Sequence, residues 1–507
     1  MRPSLYRGVS DSFRGFLSFS STADLCYTPV VFLRDSTILF HRKYNLSGDS
    51  REPRGSRGCI VSTSRYRTEP ERSDRMPTCI PFLIVNEAAE RFSFYGMRTI
   101  LVIFMTQYLM NADGALDVMS EAEARSYYHL FTSAVYFFPV IGALVADVWF
   151  GKFRTIMSLS LVYCLGHLAL ALDDTRVGLA VGLTLIAVGS GGIKPCVSAN
   201  LGDQFNSTNS HLLSKAFYWF YFAINFGAGL STLLTPWLLN HIGPHLAFGV
   251  PGLLMLTATW VFWLGRRDYV HIPARGKTFL RELLARDSLL AMWRLTPIYL
   301  FVAVFWALYD QTGSAWVLQA RNMDLYWMGV EWLPSQIQFV NPFLIMLLIP
   351  VFVYGVYPAL DKVFLVTPLR KISIGFFVTV IAFMISAVIE MQIVAGLRPN
   401  IVWQIAAFVV ITAAEVMVSI TCLEFSYTQA PRALKSFVMA LFLLSVSLGN
   451  AFTSLVNYFI QNDDGSVRLE GPDYYWFFTL VMLGVSILFI AVAKRYKGQT
   501  YLQGSDA

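Results

Sequence analysis

Apolar runs of about 20 residues recur along the chain from position 81 onward, separated by short polar stretches. A run of this length crosses the hydrocarbon core of a bilayer as one α-helix. The pattern therefore predicts an all-α membrane protein with twelve transmembrane helices, spans one to twelve. Their expected positions are 81–109, 127–149, 154–172, 177–200, 215–239, 246–265, 293–320, 336–358, 370–396, 401–424, 435–460 and 473–493.

Composition agrees with a membrane protein and excludes several other classes. Of the 507 residues, 55% are hydrophobic and only 14% are charged, which is not the composition of a soluble globular protein. The net charge of +6 comes from basic residues in short clusters between the apolar runs, so we expect no nucleic-acid partner. The six cysteines form no CxxC pair and have no metal-ligand spacing, so no metal and no cofactor are expected.

Charge in the connections predicts the orientation. Basic residues follow spans two, six, eight, ten and twelve, whereas the opposite connections are acidic or neutral. Positive loops stay on the cytoplasmic side, so both termini are expected there, with lipid around the spans.

The longest basic connection divides the spans six and six. We expect an N-terminal extension at 1–75, a first six-helix bundle at 76–265, a cytoplasmic linker at 266–292 and a second bundle at 293–507. Residues 1–75 are either a disordered tail or, as we favour, an extension upstream of a natural start at Met76. Two six-helix halves suggest a major-facilitator transporter with its site between them. The stretch Gly142–Arg154 resembles the loop motif of that superfamily, although an ordinary positive turn would also explain it.

Charged residues inside span one indicate function. Glu87, Glu90 and Arg91 share one helical face, and Arg98 lies about two turns further along it, with Tyr95 between. A charge at the bilayer centre costs about 3 kcal/mol on insertion scales, so this face should line a water-filled cavity. The alternative is a salt bridge that only holds helices together.

Other spans carry polar groups as well. His129 and Tyr136 share a face of span two, and Lys194 lies in the glycine-rich G-S-G-G-I-K-P of span four. Basic groups concentrate in the first half and carboxylates appear in the second. A zwitterion between the halves would place its carboxylate near the basic groups and its amine near a carboxylate of the second half. The remaining polar residues in the spans are Asn225, Asp310, Asn341 and Glu415.

Four stretches resemble the proton-dependent oligopeptide transporter family, in the right order over about 80–500. They are E-x-x-E-R-F-x-F-Y-G (Glu87–Gly96), F-Y-W-F-Y-F-A-I-N-F-G (Phe217–Gly227), F-W-A-L-Y-D-Q-T-G-S (Phe305–Ser314) and E-V-M-V-S-I-T-C-L-E-F-S-Y-T-Q-A-P (Glu415–Pro431). The resemblance implies a proton-coupled symporter that takes up di- and tripeptides by alternating access. Its partners would be small peptides and protons, and we expect it to work as a monomer.

The resemblance also implies roles for individual residues. Glu87, Glu90 and Arg91 match the proton-coupling motif, and His129 matches a histidine of the proton relay in some members. Arg98 and Asp310 match an ion pair that closes the outer gate, and Asp310 is counted with the proton-coupling groups. Arg91, Arg98 and Lys194 would hold the peptide carboxylate and Glu415 its amine. The peptide-contacting positions are Tyr95, Tyr136, Asn225, Asn341 and Phe442, where Phe442 replaces a tryptophan found in many bacterial members.

Alternatives remain open. One alternative is a carrier of the same fold for nitrate, histidine or a drug-like anion, although a plain anion carrier has no need of an amine-binding carboxylate such as Glu415. A membrane enzyme is disfavoured because the chain has no G-x-S-x-G, HExxH or P-loop motif, and a receptor because no large soluble domain is visible. The short connection around Arg398 and the short linker fit a bacterial member in the cytoplasmic membrane.

Overall fold

The computed structural model describes residues 66–429, 435–462 and 466–496, and within them twelve long helical segments follow the predicted spans. Eleven are long and apolar enough to cross a membrane by length and composition; the other is the charged span one. The segments are Ile80–Gln107, Glu121–Phe150, Lys152–Leu172, Arg176–Gly202, Ser210–His241, Pro244–Arg267, Arg286–Ala320, Pro334–Asp361, Pro368–Val394, Val402–Ser426, Lys435–Phe459 and Pro472–Arg495.

Two helix starts differ from the sequence expectation, each by about two turns. Span two begins at Glu121 rather than 127, because Ser120 caps the helix by accepting a hydrogen bond from the Glu123 backbone N–H at 3.1 Å. Span seven begins at Arg286 rather than 293 and shortens the predicted linker. In both cases a polar first turn continues the helix beyond the apolar run, so hydrophobicity alone places the start too late.

The two halves have separate hydrophobic cores. Spans one to six surround one core and spans seven to twelve surround another. The halves meet mainly where span two packs along span eleven, and where span five packs against the start of span eight. The groups that could line a site between the halves therefore come from both bundles.

Glycines allow the close helix contacts that position the charged residues. A Cβ on Gly142 of span two would lie 2.3 Å from Gly192 Cα of span four, two residues before Lys194. A Cβ on Gly227 of span five would lie 2.4 Å from the Ala88 carbonyl oxygen of span one. Any larger side chain at these positions would push the helices apart.

Two spans lose regular α-helical geometry beside predicted site residues. Span seven is α-helical to Tyr309, forms a 3₁₀ turn over Asp310–Gly313, and resumes as Ala315–Ala320. Span ten is α-helical over Val402–Glu415 and then forms a π-helical turn over Val416–Ile420. Such interruptions are frequent at functional sites.

The linker defines one side of the molecule, which we call the linker side; the opposite side is the far side. On the linker side a short helix, Lys277–Leu283, buries Phe279 and Leu283 in the core of the second half. Just before it, the Arg275 backbone N–H donates to the Asp147 carbonyl of the first half at 2.7 Å.

Residues 66–79 also pack on the linker side. The His271 backbone N–H donates to the Arg67 carbonyl at 2.8 Å, and the Tyr66 and His271 rings stack with centroids 4.4 Å apart. The Asn206 side chain donates to the Glu71 carbonyl at 2.8 Å. Part of the predicted extension 1–75 thus contacts the first half, and the rest lies outside the described residues.

Candidate functional site

Span one places two carboxylates around one guanidinium, as the residue spacing predicts. Arg91 Nε donates to Glu87 Oε1 at 2.6 Å and lies 3.2 Å from Glu90 Oε2. Both glutamates are almost fully buried within the protein, at 2% and 1% exposure. Neither oxygen of Glu90 has a hydrogen-bond partner among the described residues. Glu87 is therefore hydrogen-bonded to Arg91, whereas Glu90 is a buried carboxylate held near Arg91 by charge alone.

Lys194 completes this charged cluster from span four. Its ammonium lies 3.7 Å from the centre of the Phe94 ring and 4.7 Å from that of Tyr136, a cation–π arrangement. It also acts electrostatically on Glu87 and Glu90. With all four groups ionised, the charges of Glu87, Glu90, Arg91 and Lys194 sum to zero. A proton bound to the cluster leaves one net positive charge, which attracts an anionic group.

The hydrogen-bond partners of Glu415 in the second half are neutral side chains. The Tyr309 hydroxyl donates to its Oε2 at 2.8 Å, and Asn341 Nδ2 donates to the same oxygen at 2.9 Å. Asn341 is held in turn by Thr412 Oγ1 at 3.0 Å. Within the described part of the chain, no cationic side chain lies within 4 Å of Glu415 or pairs with it.

Lys194 on span four and Glu415 on span ten occupy corresponding positions in the two halves, which predicts that they can neutralise each other across the cavity. The structure has no such ion pair in its described residues, because aromatic rings hold Lys194 and neutral donors of its own half hold Glu415. The two opposite charges are thus each supported separately. Both remain available to a ligand that carries both signs of charge.

An ion pair joins the halves through Arg98 and Asp310. Arg98 Nη2 donates to Asp310 Oδ1, and Arg98 Nε donates to the Tyr128 hydroxyl at 2.8 Å. Asp310 lies on the 3₁₀ turn that interrupts span seven. Gly313 closes that turn, and a Cβ there would lie 2.0 Å from the Tyr128 hydroxyl oxygen. The glycine is therefore needed for Tyr128 to reach Arg98.

His129 is fully buried beside this pair and bonded at both ring nitrogens. Nδ1 lies 2.7 Å from Asn450 Oδ1, and Nε2 lies 2.8 Å from Ser314 Oγ. Asn450 Nδ2 donates to Asp310 Oδ2 at 2.7 Å. Because the amide N–H points at Asp310, the amide oxygen accepts from His129 Nδ1. In the neutral ring this assigns the proton to Nδ1 and makes Nε2 the acceptor from Ser314.

Sequence reasoning missed Asn450, although span eleven carries a signal for it. Polar residues recur there at helical spacing, which marks one face of the helix. The structure turns that face toward span two, where Ser133 Oγ lies 3.1 Å from Ser447 Oγ. Members of the stripe are Ser447, Asn450, Ser454 and Asn457.

The remaining predicted residues are less closely connected to the charged groups. Tyr95 lies between Arg91 and Arg98 on span one, edge-on to Phe94. The Asn225 amide donates to the Tyr221 carbonyl of its own helix at 2.9 Å. Phe442 is 4% exposed, in the core of the second half beside the rings of Tyr299 and Trp306. Their predicted roles in peptide contact stay predictions.

Two six-span halves with ionisable groups buried between them define a membrane transporter of the major-facilitator type. The family comparison is consistent with this class. The sequence model of the POT family matches residues 153–286 and 282–477. The chain belongs to the POT family.

Two curated animal proteins are similar to this chain over part of its length. "Peptide transporter family 1" of Drosophila melanogaster is 39% identical over 363 residues, which are 62% of this chain and 48% of that protein. "Solute carrier family 15 member 2" of Rattus norvegicus is 36% identical over 400 residues, 68% of this chain and 53% of that protein. The chain spans about half the length of the curated relatives it matches.

Solved structures match over most of their length. The crystal structure of the POT family transporter PepTSo has a TM-score of 0.75 at 34% identity, covering 83% of this chain and 99% of that one. An auto-inhibited POT family peptide transporter gives the same TM-score and identity, covering 85% and 99%. These relatives and structures are transporters, not enzymes.

Proposed function

We propose that this protein is a proton-coupled symporter that takes up di- and tripeptides by alternating access. The observation that carries the proposal is Glu415, a carboxylate of the second half that, among the described residues, is supported by the neutral donors Tyr309 and Asn341 and no cation, with the basic groups Arg91 and Lys194 in the first half. A peptide zwitterion satisfies both sets at once. Its amine would pair with Glu415, and its carboxylate with Lys194, Arg91 and Arg98.

The coupling follows from the charge balance of the span-one cluster. A proton bound to either glutamate leaves the cluster of Glu87, Glu90, Arg91 and Lys194 with one net positive charge, and so favours a peptide carboxylate. Loss of that proton restores the competition of two carboxylates for Arg91 and favours peptide release. Proton and peptide therefore each strengthen the binding of the other, as symport requires.

The gate would be the Arg98–Asp310 ion pair, with His129 connected to Asp310 through Asn450. A change in the protonation of His129 or Asp310 alters a hydrogen-bond chain that joins the two halves. Opening the far side requires this chain to break, so its charge state would influence which side the cavity faces.

A carrier of nitrate, histidine or a drug-like anion is the second candidate. A plain anion carrier would use Arg91 and Lys194 to bind its substrate. An anion has no group that Glu415, held by its two donors, could bind. The Glu415 arrangement therefore favours a substrate with an amine over a plain anion such as nitrate. Histidine also carries an amine, and the uptake experiment below separates it from a peptide.

We place the linker side in the cytoplasm on the basis of its basic residues, with both termini on that side. A multi-pass membrane location is shown by the spans and by the family. The bacterial cytoplasmic membrane, surrounding lipid and a monomeric state stay predictions, and the two curated relatives compared above are from a fly and a rat.

Uptake of dialanine into proteoliposomes tests the proposal. An inward-acid pH gradient should drive accumulation, and a protonophore should abolish it. Uptake that needs sodium and ignores the proton gradient would contradict proton coupling. Transport of nitrate or histidine with no dialanine transport would favour the second candidate.

A further inference from the structure

Arg321 belongs to the second half but bonds to the first. It follows the last helical turn of span seven on the far side. Its Nη1 lies 3.6 Å from Glu121 Oε1 at the start of span two. With the Gln107 amide oxygen turned toward it, its Nε and Nη2 also donate to that oxygen at 3.2 Å. Arg321 therefore links the far ends of spans one and two to span seven.

Arg125 makes the reverse connection. It belongs to span two of the first half, and its guanidinium carbon lies 4.2 Å from the centre of the Tyr474 ring of span twelve. The side chain lines a cavity of about 170 Å³ between the halves, together with Gln319 and Glu390. Among the described residues it forms no ion pair, and its buried Nε has no hydrogen-bond partner. The cation–π arrangement with Tyr474 is thus a contact between Arg125 and the second half.

Beside Arg125, spans two and eleven are in direct contact on the far side, through Ser126 and Ser454; we call this contact the seam. Ser126, next to Arg125, donates to the Ser454 carbonyl at 3.0 Å, and Ser454 Oγ donates to the Ser126 carbonyl at 2.8 Å. Arg125 lies one helical turn before His129 on span two, so this seam is further toward the far side than the Arg98–Asp310 pair.

We propose that Arg125 and Arg321 form a reciprocal latch that holds the far side closed, as gating residues in addition to Arg98 and Asp310. Each half supplies one arginine and a receiving surface for the other, so both contacts break when the halves separate there. Contacts made in only one conformation shift the equilibrium toward that conformation. The latch rests on the proposed alternating access but not on the identity of the substrate.

Disulfide formation between two engineered cysteines measures far-side closure without any peptide. Ser133→Cys and Ser447→Cys place the thiols where the native oxygens are 3.1 Å apart, away from both arginines. Purified protein in detergent is oxidised with copper phenanthroline, denatured, and treated with a polyethylene-glycol maleimide. Protein that carries only one of the two cysteines corrects for the native thiols. Arg125→Gln with Arg321→Gln should slow cross-linking by about threefold to tenfold.

Arg176→Gln is the matched control. Arg176 lies on the same far side and pairs with Asp117 and Glu123, but all three belong to the first half. It should cross-link at the unmodified rate. An unchanged rate in the double variant, or an equal slowing in Arg176→Gln, would overturn the proposal.

A charge-reversal pair separates loss of the latch contact from misfolding of a single variant. Arg321→Glu should slow cross-linking, and adding Glu121→Arg should restore it. Absence of that restoration in protein with an unchanged size-exclusion profile also counts against the latch. Because no substrate is present, a failure of peptide transport would leave these outcomes unaffected.

Discussion

Asn450 donates a hydrogen bond to Asp310 at 2.7 Å while its amide oxygen accepts one from His129. A single neutral side chain thus connects the histidine of span two to the aspartate that pairs with Arg98. Since an amide cannot carry a proton between them, it aligns the two groups and transmits changes in their hydrogen bonding.

Asn450→Leu should therefore uncouple His129 from Asp310. The leucine has a similar volume but neither donor nor acceptor, so both groups lose a buried partner. We expect proton-driven dialanine accumulation to fall by about tenfold or more, while exchange of labelled for unlabelled peptide at equal pH is affected less. Thr453→Val, one turn along the same helix, is the control because Thr453 bonds only to backbone carbonyls. Equal loss of accumulation and exchange would contradict a role in coupling.

Glu415→Gln should remove recognition of the peptide amine. The glutamine keeps the size of the side chain and the contacts to Tyr309 and Asn341 but loses the charge. The natural protein should bind dialanine much more tightly than acetylated dialanine, and the variant should bind both weakly. Binding to purified protein by calorimetry measures the difference. If the variant still prefers the free amine, Glu415 does not bind it.

Gly313→Ala should destabilise the contact between Tyr128 and Arg98. The added Cβ would meet the Tyr128 hydroxyl, which holds Arg98, and overpacking of this kind costs about 1–3 kcal/mol. Tyr128→Phe removes the clashing oxygen, so the double variant should be less destabilised than the sum of the two single changes. Thermal unfolding in detergent measures all three. Simple additivity would show that the two residues do not interact.

Protonation of His271 should loosen the segment 66–79. Burial lowers the pKa of His271 below its ordinary 6.5; a hydrogen bond to the Arg266 carbonyl opposes this, and the Arg154 guanidinium lowers the pKa further. A depressed pKa means that the folded arrangement prefers the neutral ring. The contribution is present above pH 6.5 and is lost as the pH falls through the folded pKa.

Limited proteolysis at pH 7.5 and 5.5 tests this. Cleavage within 66–75 should accelerate at the lower pH, after correction for protease activity on an unfolded substrate. His271→Phe keeps an aromatic ring against Tyr66 and Phe153 and should remove the pH dependence. A pH dependence that persists in this variant must come from other groups.

The fold and the charged residues were largely predictable from the sequence. Apolar run length gave the spans, and the spacing of Glu87, Glu90 and Arg91 gave their shared face, because both depend on local geometry. The resemblance indicated the Arg98–Asp310 pair. The contacts of Lys194 and the placement of Phe442 depend on how whole helices pack, and no local pattern encodes that. Asn450 had a signal in its polar stripe, but its partners on spans two and seven are more than 100 residues away in the chain.

The linker helix has a practical consequence for following the movement of the halves. Phe279 and Leu283 anchor it in the second half, whereas the Arg275 backbone is bonded to the first half through Asp147. In this structure the linker therefore passes from contacts with the first bundle to contacts with the second between Arg275 and Phe279. A spin label attached before Arg275 would travel with one bundle, and one attached after Leu283 with the other, so a change in the short distance between the two labels would report movement between the bundles.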